Sequence, residues 1–333
     1  MSDELPLIDG FGRIHDDLRL SVTDRCNIRC RYCIAAKVAE FRPREEILSF
    51  EEIERFVRLC ARLGVSKVRI TGGEPLVRRN ICGLVRRLAA IDGIDDLAMT
   101  TNGTLLPKFA RPLREAGLQR VNISLDTLRE EHFREISGRD LLPMILEGID
   151  AAIEAGFAPI KLNALAIRGQ TEEEIPRLAK FARERGLQLR FIEFMPLDAP
   201  GEWRPEKVLP ADEIYRIIDR SVAKLAPLAE AEMDGPARVF RYRDGQGSVG
   251  MISTVTHPFC ERCSRLRLTA DGRILNCLFC REPVDVKSLL RGGASDVEIM
   301  ETIRRAVLAK RRQHGNDEGV LARGERAMND IGG

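Results

Sequence analysis

The chain has 333 residues, 44% hydrophobic and 31% charged, enough apolar material for one large or two ordinary cored domains and too much for a disordered chain. Its 53 Lys and Arg balance 51 Asp and Glu, a formal +2, which excludes a polyanion binder driven by net charge. No run of ~18 apolar residues predicts a membrane span, and the acidic, Pro/Gly-punctuated opening MSDELPLIDGFGR does not fit a secretory leader.

In chain order, six β-like runs alternate with amphipathic helical runs. The predicted strands are LRLSV (18–22), KVRIT (67–71), DLAMT (96–100), RVNIS (120–124), IKLNALAI (160–167) and QLRFIEF (188–194). Between them lie SFEEIERFVRLCARLG, ICGLVRRLAAI, LPKFARPLREAG, LPMILEGIDAAIEAG and TEEEIPRLAKFARERG. Ser49 and Thr171 are the expected caps, and Gly64, Gly117, Gly156 and Gly186 the C-terminal stops. Six β-then-α units predict parallel strands in a doubly wound sheet or a partial barrel. The strand ends favour the barrel. Cysteines follow the first strand, TGGEP the second, TTNG the third, SLD the fourth and MPL the sixth, while Lys161 and Asn163 lie in the fifth. A barrel gathers every strand end around one mouth, whereas a doubly wound sheet gathers only those at its switch point. The expected α/β fold is an open six-stranded partial β/α (TIM-like) barrel over about 15–225. After Pro227 the pattern becomes α+β. ARVFRYRDGQGSVGMIS and RLRLTADGRILNCLF read as hairpins, and a charged helix follows at roughly 294–312. The expected domains are 1–227 for the barrel and 228–333 for the C-terminal domain.

Nine cysteines, an odd and clustered set, argue against a secreted disulfide framework and for metal sites in a reducing cytoplasm. Cys60 and Cys82 stand alone in helical stretches and are expected in the core. Cys26, Cys30 and Cys33 are spaced C-x3-C-x2-C, three soft ligands that suit an iron–sulfur cluster or zinc. Three thiolates leave one iron of a four-iron cube open, and S-adenosylmethionine can chelate that iron through its amino and carboxylate groups. The loop follows a strand and is joined by TGGEP at the next strand end, where a glycine pair lets backbone approach a ligand closely. That context favours the cluster over a zinc loop lacking its fourth ligand. Cys260, Cys263, Cys277 and Cys280 form C-x2-C-x13-C-x2-C across two hairpins, which on spacing alone reads as a zinc ribbon. His15, His132, His257 and His314 show no HExxH spacing and none is read as catalytic; no nucleophile elbow or Walker loop occurs.

DRCNIRCRYC with TGGEPLVR resembles the radical S-adenosylmethionine superfamily. LRLSVTDRCNIRCRYC, VRITGGEPL, MTTNGTLL, VNISLDTL, ISGRD, KLNALAIRG, RFIEFMPL, FCERCSRLRLTADGRILNCLF and the terminal IGG, in order from Asp9 to the last residue, resemble the GTP 3′,8-cyclase family of molybdenum cofactor biosynthesis. That resemblance implies S-adenosylmethionine and two [4Fe-4S] clusters as cofactors. Cys26, Cys30 and Cys33 would hold the first. Cys260, Cys263 and Cys277 would hold the second, its open iron facing the guanine of GTP, which reverses the zinc reading. Cys280 departs from the family pattern and is expected to be a spectator; Ser264 and Ile34-Ala35-Ala36 depart from it too. Cofactor contacts are implied at Tyr32, Gly73, Ser124 and Met195, with Glu74 accepting from the cofactor's amino group. Triphosphate contacts are implied at Arg19, Arg69, Lys161, Arg265 and Arg267, with Thr100 and Leu266 as further substrate positions. The terminal Gly332 and Gly333 would thread into the barrel and place Arg323 or Arg326 near the radical.

The implied reaction is that of a lyase: a 5′-deoxyadenosyl radical takes the ribose 3′ hydrogen of GTP, and C3′ then bonds to C8 of guanine. The implied partners are GTP, an external electron donor, a downstream cyclic pyranopterin monophosphate synthase that receives the product, and a second copy in a homodimer, with no nucleic acid and no membrane. Two rivals stand beside this reading: a peptide-modifying radical enzyme with an auxiliary electron-relay cluster, and a non-catalytic zinc-ribbon protein binding nucleic acid. Near-neutral charge and little aromatic interleaving count against the second.

Overall fold

Alternation along the strands sets the architecture. In the first strand Leu18 and Leu20 are fully buried on one face, while Asp17 and Arg19 point to the other. The computed structural model describes residues 5–34, 41–198, 201–228, 235–314 and 328–331. Among these the strands are β1 (Asp17–Ser21), β2 (Lys67–Thr71), β3 (Asp96–Thr101), β4 (Arg120–Ser124), β5 (Ile160–Ala166), β6 (Gln188–Glu193), β7 (Leu225–Pro227), β8 (Arg238–Tyr242), β9 (Ser248–Ile252), β10 (Arg265–Leu268), β11 (Arg273–Leu275) and β12 (Val284–Asp285). The helices are α1 (Phe50–Arg62), α2 (Ile81–Ala89), α3 (Leu106–Glu115), α4 (Glu130–Ser137), α5 (Leu142–Glu154), α6 (Glu174–Glu184), α7 (Ala211–Ser221), α8 (Lys287–Arg291), α9 (Asp296–Leu308) and α10 (Met328–Ile331). Among the described residues no helix is long and apolar enough to cross a membrane.

β1 to β6 pair in sequence order, all parallel. The two C-terminal hairpins continue that sheet: β10 pairs parallel with β1, and β9 pairs parallel with β6. The full order is β12-β11-β10-β1-β2-β3-β4-β5-β6-β9-β8-β7, open at both ends. The barrel sheet therefore gains a parallel strand beyond each end of the expected six. A sheet ending at β1 and β6 would expose two rows of unpaired backbone donors and acceptors, and the hairpins cover both. Leu266, Leu268, Val249 and Met251 extend the same apolar core as Leu18, Val68 and Ile123.

The helices cover the apolar face. α1 starts on a capping box between Ser49 and Glu52 and buries Ile53, Phe56, Val57 and Cys60, spaced i, i+3, i+4 and i+7. Thr171 is not a side-chain cap. α6 begins three residues later, and the Thr171 hydroxyl instead accepts from the Ile167 N–H and donates to the Leu165 carbonyl, tying down the exit of β5. The four glycines expected to stop helices all have positive φ, from 66° to 102°. Cys60 is fully buried and Cys82 packs partly buried against the core.

Candidate active site

The polar face of the sheet and its strand ends enclose a cavity of about 740 Å³. Both cysteine groups open onto it. Cys26, Cys30 and Cys33 follow β1; Cys260 and Cys263 precede β10; Cys277 and Cys280 follow β11. Among the described residues no three Cys, His, Asp or Glu side chains converge on a single metal ion. A cluster spreads its thiolates over separate irons and does not need that convergence.

The first thiol loop is shaped by its neighbours' backbone. The N–H of Gly73 donates to the Thr23 carbonyl at 2.8 Å, and that of Glu74 to the Arg25 carbonyl at 2.8 Å, so TGGE runs zipped to the residues before Cys26. A Cβ on Gly72 would lie 2.5 Å from the Thr23 carbonyl oxygen, and one on Gly73 2.7 Å from that of Asp24. The pair is glycine because another backbone occupies the space of a side chain. Arg29 and Arg31 donate from their backbones to the Ser137 and Ile136 carbonyls at the end of α4, which fixes the far side of the loop. Burial pushes the Cys26 thiol up to about 11 and, with the Cys33 and Asp126 charges, holds Cys30 well above its ordinary value. Such thiols keep their protons until a metal displaces them, so loading is coupled to proton release.

Glu74 does not face the cavity. It is fully buried, and its carboxylate accepts from the Asn102 N–H (2.7 Å), the Thr101 hydroxyl (2.8 Å) and the Leu76 N–H (3.0 Å). Burial outweighs these bonds and raises Glu74 to about 7. It locks the β2 exit to the β3 exit, and Asn102 passes the constraint on: its amide donates to Asn27 Oδ1 at 2.8 Å and reaches Cys26 Sγ at 3.8 Å. Tyr32, Gly73, Ser124 and Met195 all line the cavity. The Tyr32 hydroxyl donates to Asp126 Oδ2 at 2.6 Å, and the other Asp126 oxygen accepts from the Leu165 N–H at 2.8 Å.

The cations lie in register rows. Arg267, Arg19 and Arg69 are lateral neighbours on β10, β1 and β2, and Thr100, Asn122 and Lys161 are neighbours on β3, β4 and β5. Like charges side by side on a sheet repel. Burial, with Arg265 and Arg19 adding to it, pulls Arg267 down to about 9. Burial also pulls Arg69 well below its ordinary value, with Arg19 adding to the effect. Asp17 offsets part of this, accepting from Arg19 Nη2 at 2.9 Å. The Nε atoms of Arg19 and Arg69 and Oδ1 of Asn163 are buried without a hydrogen-bond partner among the described residues. Each such atom costs about 1–3 kcal/mol unless a ligand satisfies it, and a polyanion with hydrogen-bonding groups fits that demand. Arg265 also lines the cavity, its guanidinium 4.7 Å over the Phe259 ring. Leu266 does not line it. Strand alternation turns its side chain into the core, fully buried, between two cavity-facing arginines.

Around the second thiols the field differs. Burial raises Cys263, but Arg265 and Lys310 outweigh it and hold the thiol at about 7. Lys310 Nζ donates to Cys263 Sγ at 3.4 Å and to the Arg265 carbonyl at 3.0 Å. His314 Nδ1 lies 2.9 Å from Cys260 Sγ, and its ring stacks on Phe279 with centroids 4.8 Å apart. Arg13 donates to the Cys260 carbonyl at 2.6 Å and to the Arg311 and Arg312 carbonyls at 2.8 Å, with Asp9 accepting from its Nε at 2.6 Å. Cys280 lines the cavity as well and packs in a small apolar group with Leu197, Leu275 and Ile331. Sequence reading did not single out Arg13 or Lys310, because one basic residue among 53 Lys and Arg carries no local mark of its place, and it named His314 only as non-catalytic. Arg323, Arg326, Gly332 and Gly333 lie outside the described residues.

Residues 20–182 match the Radical SAM superfamily model, and residues 187–316 match the model described as Molybdenum Cofactor Synthesis C. The chain is 49% identical over 336 aligned positions to the GTP 3′,8-cyclase of Rhodopirellula baltica, with 100% of this chain and 94% of that protein covered. The chain belongs to the GTP 3′,8-cyclase family. The GTP 3′,8-cyclase of Pelotomaculum thermopropionicum is 45% identical over 325 positions, covering 98% of this chain and 99% of that protein. Among solved structures, Streptococcus suis SuiB bound to S-adenosylmethionine superposes with a TM-score of 0.62 at 18% identity, over 90% of this chain and 68% of SuiB, and shares the fold.

Proposed function

We propose that this chain is a radical S-adenosylmethionine lyase that converts GTP to 3′,8-cyclo-7,8-dihydro-GTP, an early step of molybdenum cofactor biosynthesis. The observation that carries the reading is a single cavity into which two thiol triplets and a row of neighbouring arginines all face. When bound at Cys26, Cys30 and Cys33, a four-iron cluster supplies the electron that cleaves S-adenosylmethionine to methionine and a carbon radical. Gly73, Ser124, Met195 and Tyr32 hold that cofactor, and the Tyr32–Asp126 bond fixes the wall beside it. Arg19, Arg69, Arg265, Arg267 and Lys161 hold the triphosphate, which restricts the ribose and brings its 3′ hydrogen to the radical. Cys260, Cys263 and Cys277 would hold a second four-iron cluster, which would supply a Lewis-acid site for the guanine. The substrate loses one hydrogen atom from C3′, forms the C3′–C8 bond, and gains one electron and one proton. The external donor thus delivers two electrons per turnover, one to cleavage and one to the closed ring. We assign the chain to a reducing cytoplasm, where clustered thiols stay available to bind metal. The tail residues Arg323, Arg326, Gly332 and Gly333 keep the catalytic role that the family resemblance implies, and a homodimer and product transfer to a downstream synthase belong to the same reading.

The test is anaerobic turnover of the iron-reconstituted chain with GTP and S-adenosylmethionine. The expected result is the cyclised nucleotide and 5′-deoxyadenosine in equal amounts, with iron and acid-labile sulfide in both sites. Zinc in the second site of the active enzyme, or turnover on a peptide without GTP, would sink the reading.

Two variants refine it. Arg69→Ala is expected to weaken GTP binding about 10- to 100-fold at unchanged iron content, the effect of losing one charge-assisted hydrogen bond of roughly 1.5–3 kcal/mol. Equal affinity by calorimetry would return Arg69 to a structural role. Cys280→Ser is expected to keep the iron content and cyclase rate of the parent. Loss of half the iron would make Cys280 a ligand.

A further inference from the structure

The two thiol sets differ in what touches their sulfurs. Beside the first, Cys26 Sγ meets a neutral amide, Asn102 Nδ2, at 3.8 Å, and Asn102 itself is held by the Glu74 carboxylate. Beside the second, Cys263 Sγ meets an ammonium, Lys310 Nζ, at 3.4 Å. Lys310 is 5% exposed. It follows α9, whose buried Ile299, Ile303, Ala306 and Val307 fix the helix against the core. Asn276 donates to the Ala306 carbonyl at 2.9 Å, which ties the end of α9 to the residue before Cys277. Arg13 holds the carbonyls of Arg311, Arg312 and Cys260 together. The ammonium is therefore held in place from both sides.

Burying an ammonium costs several kcal/mol unless a negative partner offsets it. Lys310 makes no ion pair with a carboxylate among the described residues; its side-chain partners are Cys263 Sγ and the Arg265 carbonyl. Arg13 and Arg265 add further positive charge nearby. Its nearest source of balancing charge is Cys263 Sγ at 3.4 Å, with whatever that sulfur binds.

We propose that Lys310 is a fixed N–H···S donor and counter-charge of the second cluster that raises its reduction potential. This rests on the reading that Cys260, Cys263 and Cys277 hold a cluster. Hydrogen bonds to the sulfurs and net charge are the protein's means of setting such potentials, and a cation favours the reduced, more negative form. Lys310 is thus a positioning and tuning residue and not one that touches substrate.

The test uses the full-length chain with Cys26, Cys30 and Cys33 replaced by Ala, reconstituted anaerobically so that only the second set carries iron. Its potential is read by redox titration with electron paramagnetic resonance, without GTP. Lys310→Met is expected to retain the iron and shift the reduced-to-oxidised ratio at least tenfold toward oxidised, a fall of 59 mV for a one-electron couple. Lys310→Arg, which keeps charge and donors, is expected to restore most of the shift. Should Lys310→Met lose its iron, the same titration on Lys310→Gln decides, with a smaller fall expected. An unchanged potential at full iron content overturns the inference, as does loss of GTP affinity with the potential unchanged, which would assign Lys310 to the triphosphate. No iron in the parent's second set would overturn the cluster reading first and this inference with it.

Discussion

Replacing Cys26, Cys30 and Cys33 together with alanine is expected to abolish 5′-deoxyadenosine formation while leaving roughly half the iron and sulfide in place. The three thiols are the soft donors that follow β1, and alanine offers no ligand. The loop itself does not depend on them for its path. Arg29 and Arg31 hold it to the end of α4 through backbone bonds of 3.0 and 2.9 Å, and Gly73 and Glu74 hold its other side. The fold should therefore persist, with the second set across the cavity loaded as before. GTP affinity should stay within a few-fold of the parent, because the arginine rows are separate from this loop. Any 5′-deoxyadenosine above background would mean that the radical is generated elsewhere. Loss of all iron would mean that the two sets do not load independently.

Gly73→Ala is expected to be nearly as damaging without removing any ligand. The new Cβ would collide with the Arg25 carbonyl and lie 2.7 Å from that of Asp24. Both obstacles are backbone, so neither can swing aside as a side-chain end would. The strand exit of β2 and the thiol loop must part, breaking the 2.8 Å bonds from Gly73 to Thr23 and from Glu74 to Arg25. Overpacking of this kind costs about 1–3 kcal/mol, a shift in melting temperature that calorimetry resolves. The larger effect is on the site: iron in the first set and 5′-deoxyadenosine yield should fall at least tenfold, with the second set still loaded. A variant with parental iron and coupling would show that the loop tolerates displacement and that the glycine pair serves only the turn.

Much of the molecule was legible beforehand because its signals are local. The period-2 alternation of β1 to β6 located each strand end within one residue, and the helix-stopping glycines marked themselves by a conformation other residues avoid. Helix α4 escaped notice because it buries only Phe133 and Ser137, too little for a periodic pattern. Leu266 shows the limit of motif transfer. A motif names a position, but alternation decides whether its side chain or only its backbone can face a ligand, and here the side chain faces the core.

Short-range chemistry thus determined the element order and the two cysteine clusters, since each depends on local patterns, whereas the second triplet and the strand cations rest on the family resemblance. Tertiary structure alone decided that β10 and β9 extend the sheet at β1 and β6, because pairing between strands so far apart in sequence leaves no local trace. That pairing sets Arg267 beside Arg19 in one register row and brings the second thiols to the mouth that holds the first. It also decided the company the thiols keep. Lys310, His314 and Arg13 come from the two ends of the chain, and only the packing of α9 and the N-terminal segment against β10 and β11 makes them neighbours of Cys260 and Cys263. Burial then turns ordinary surface residue types into determinants of charge at the site, because an ion removed from water must find its partner within the protein.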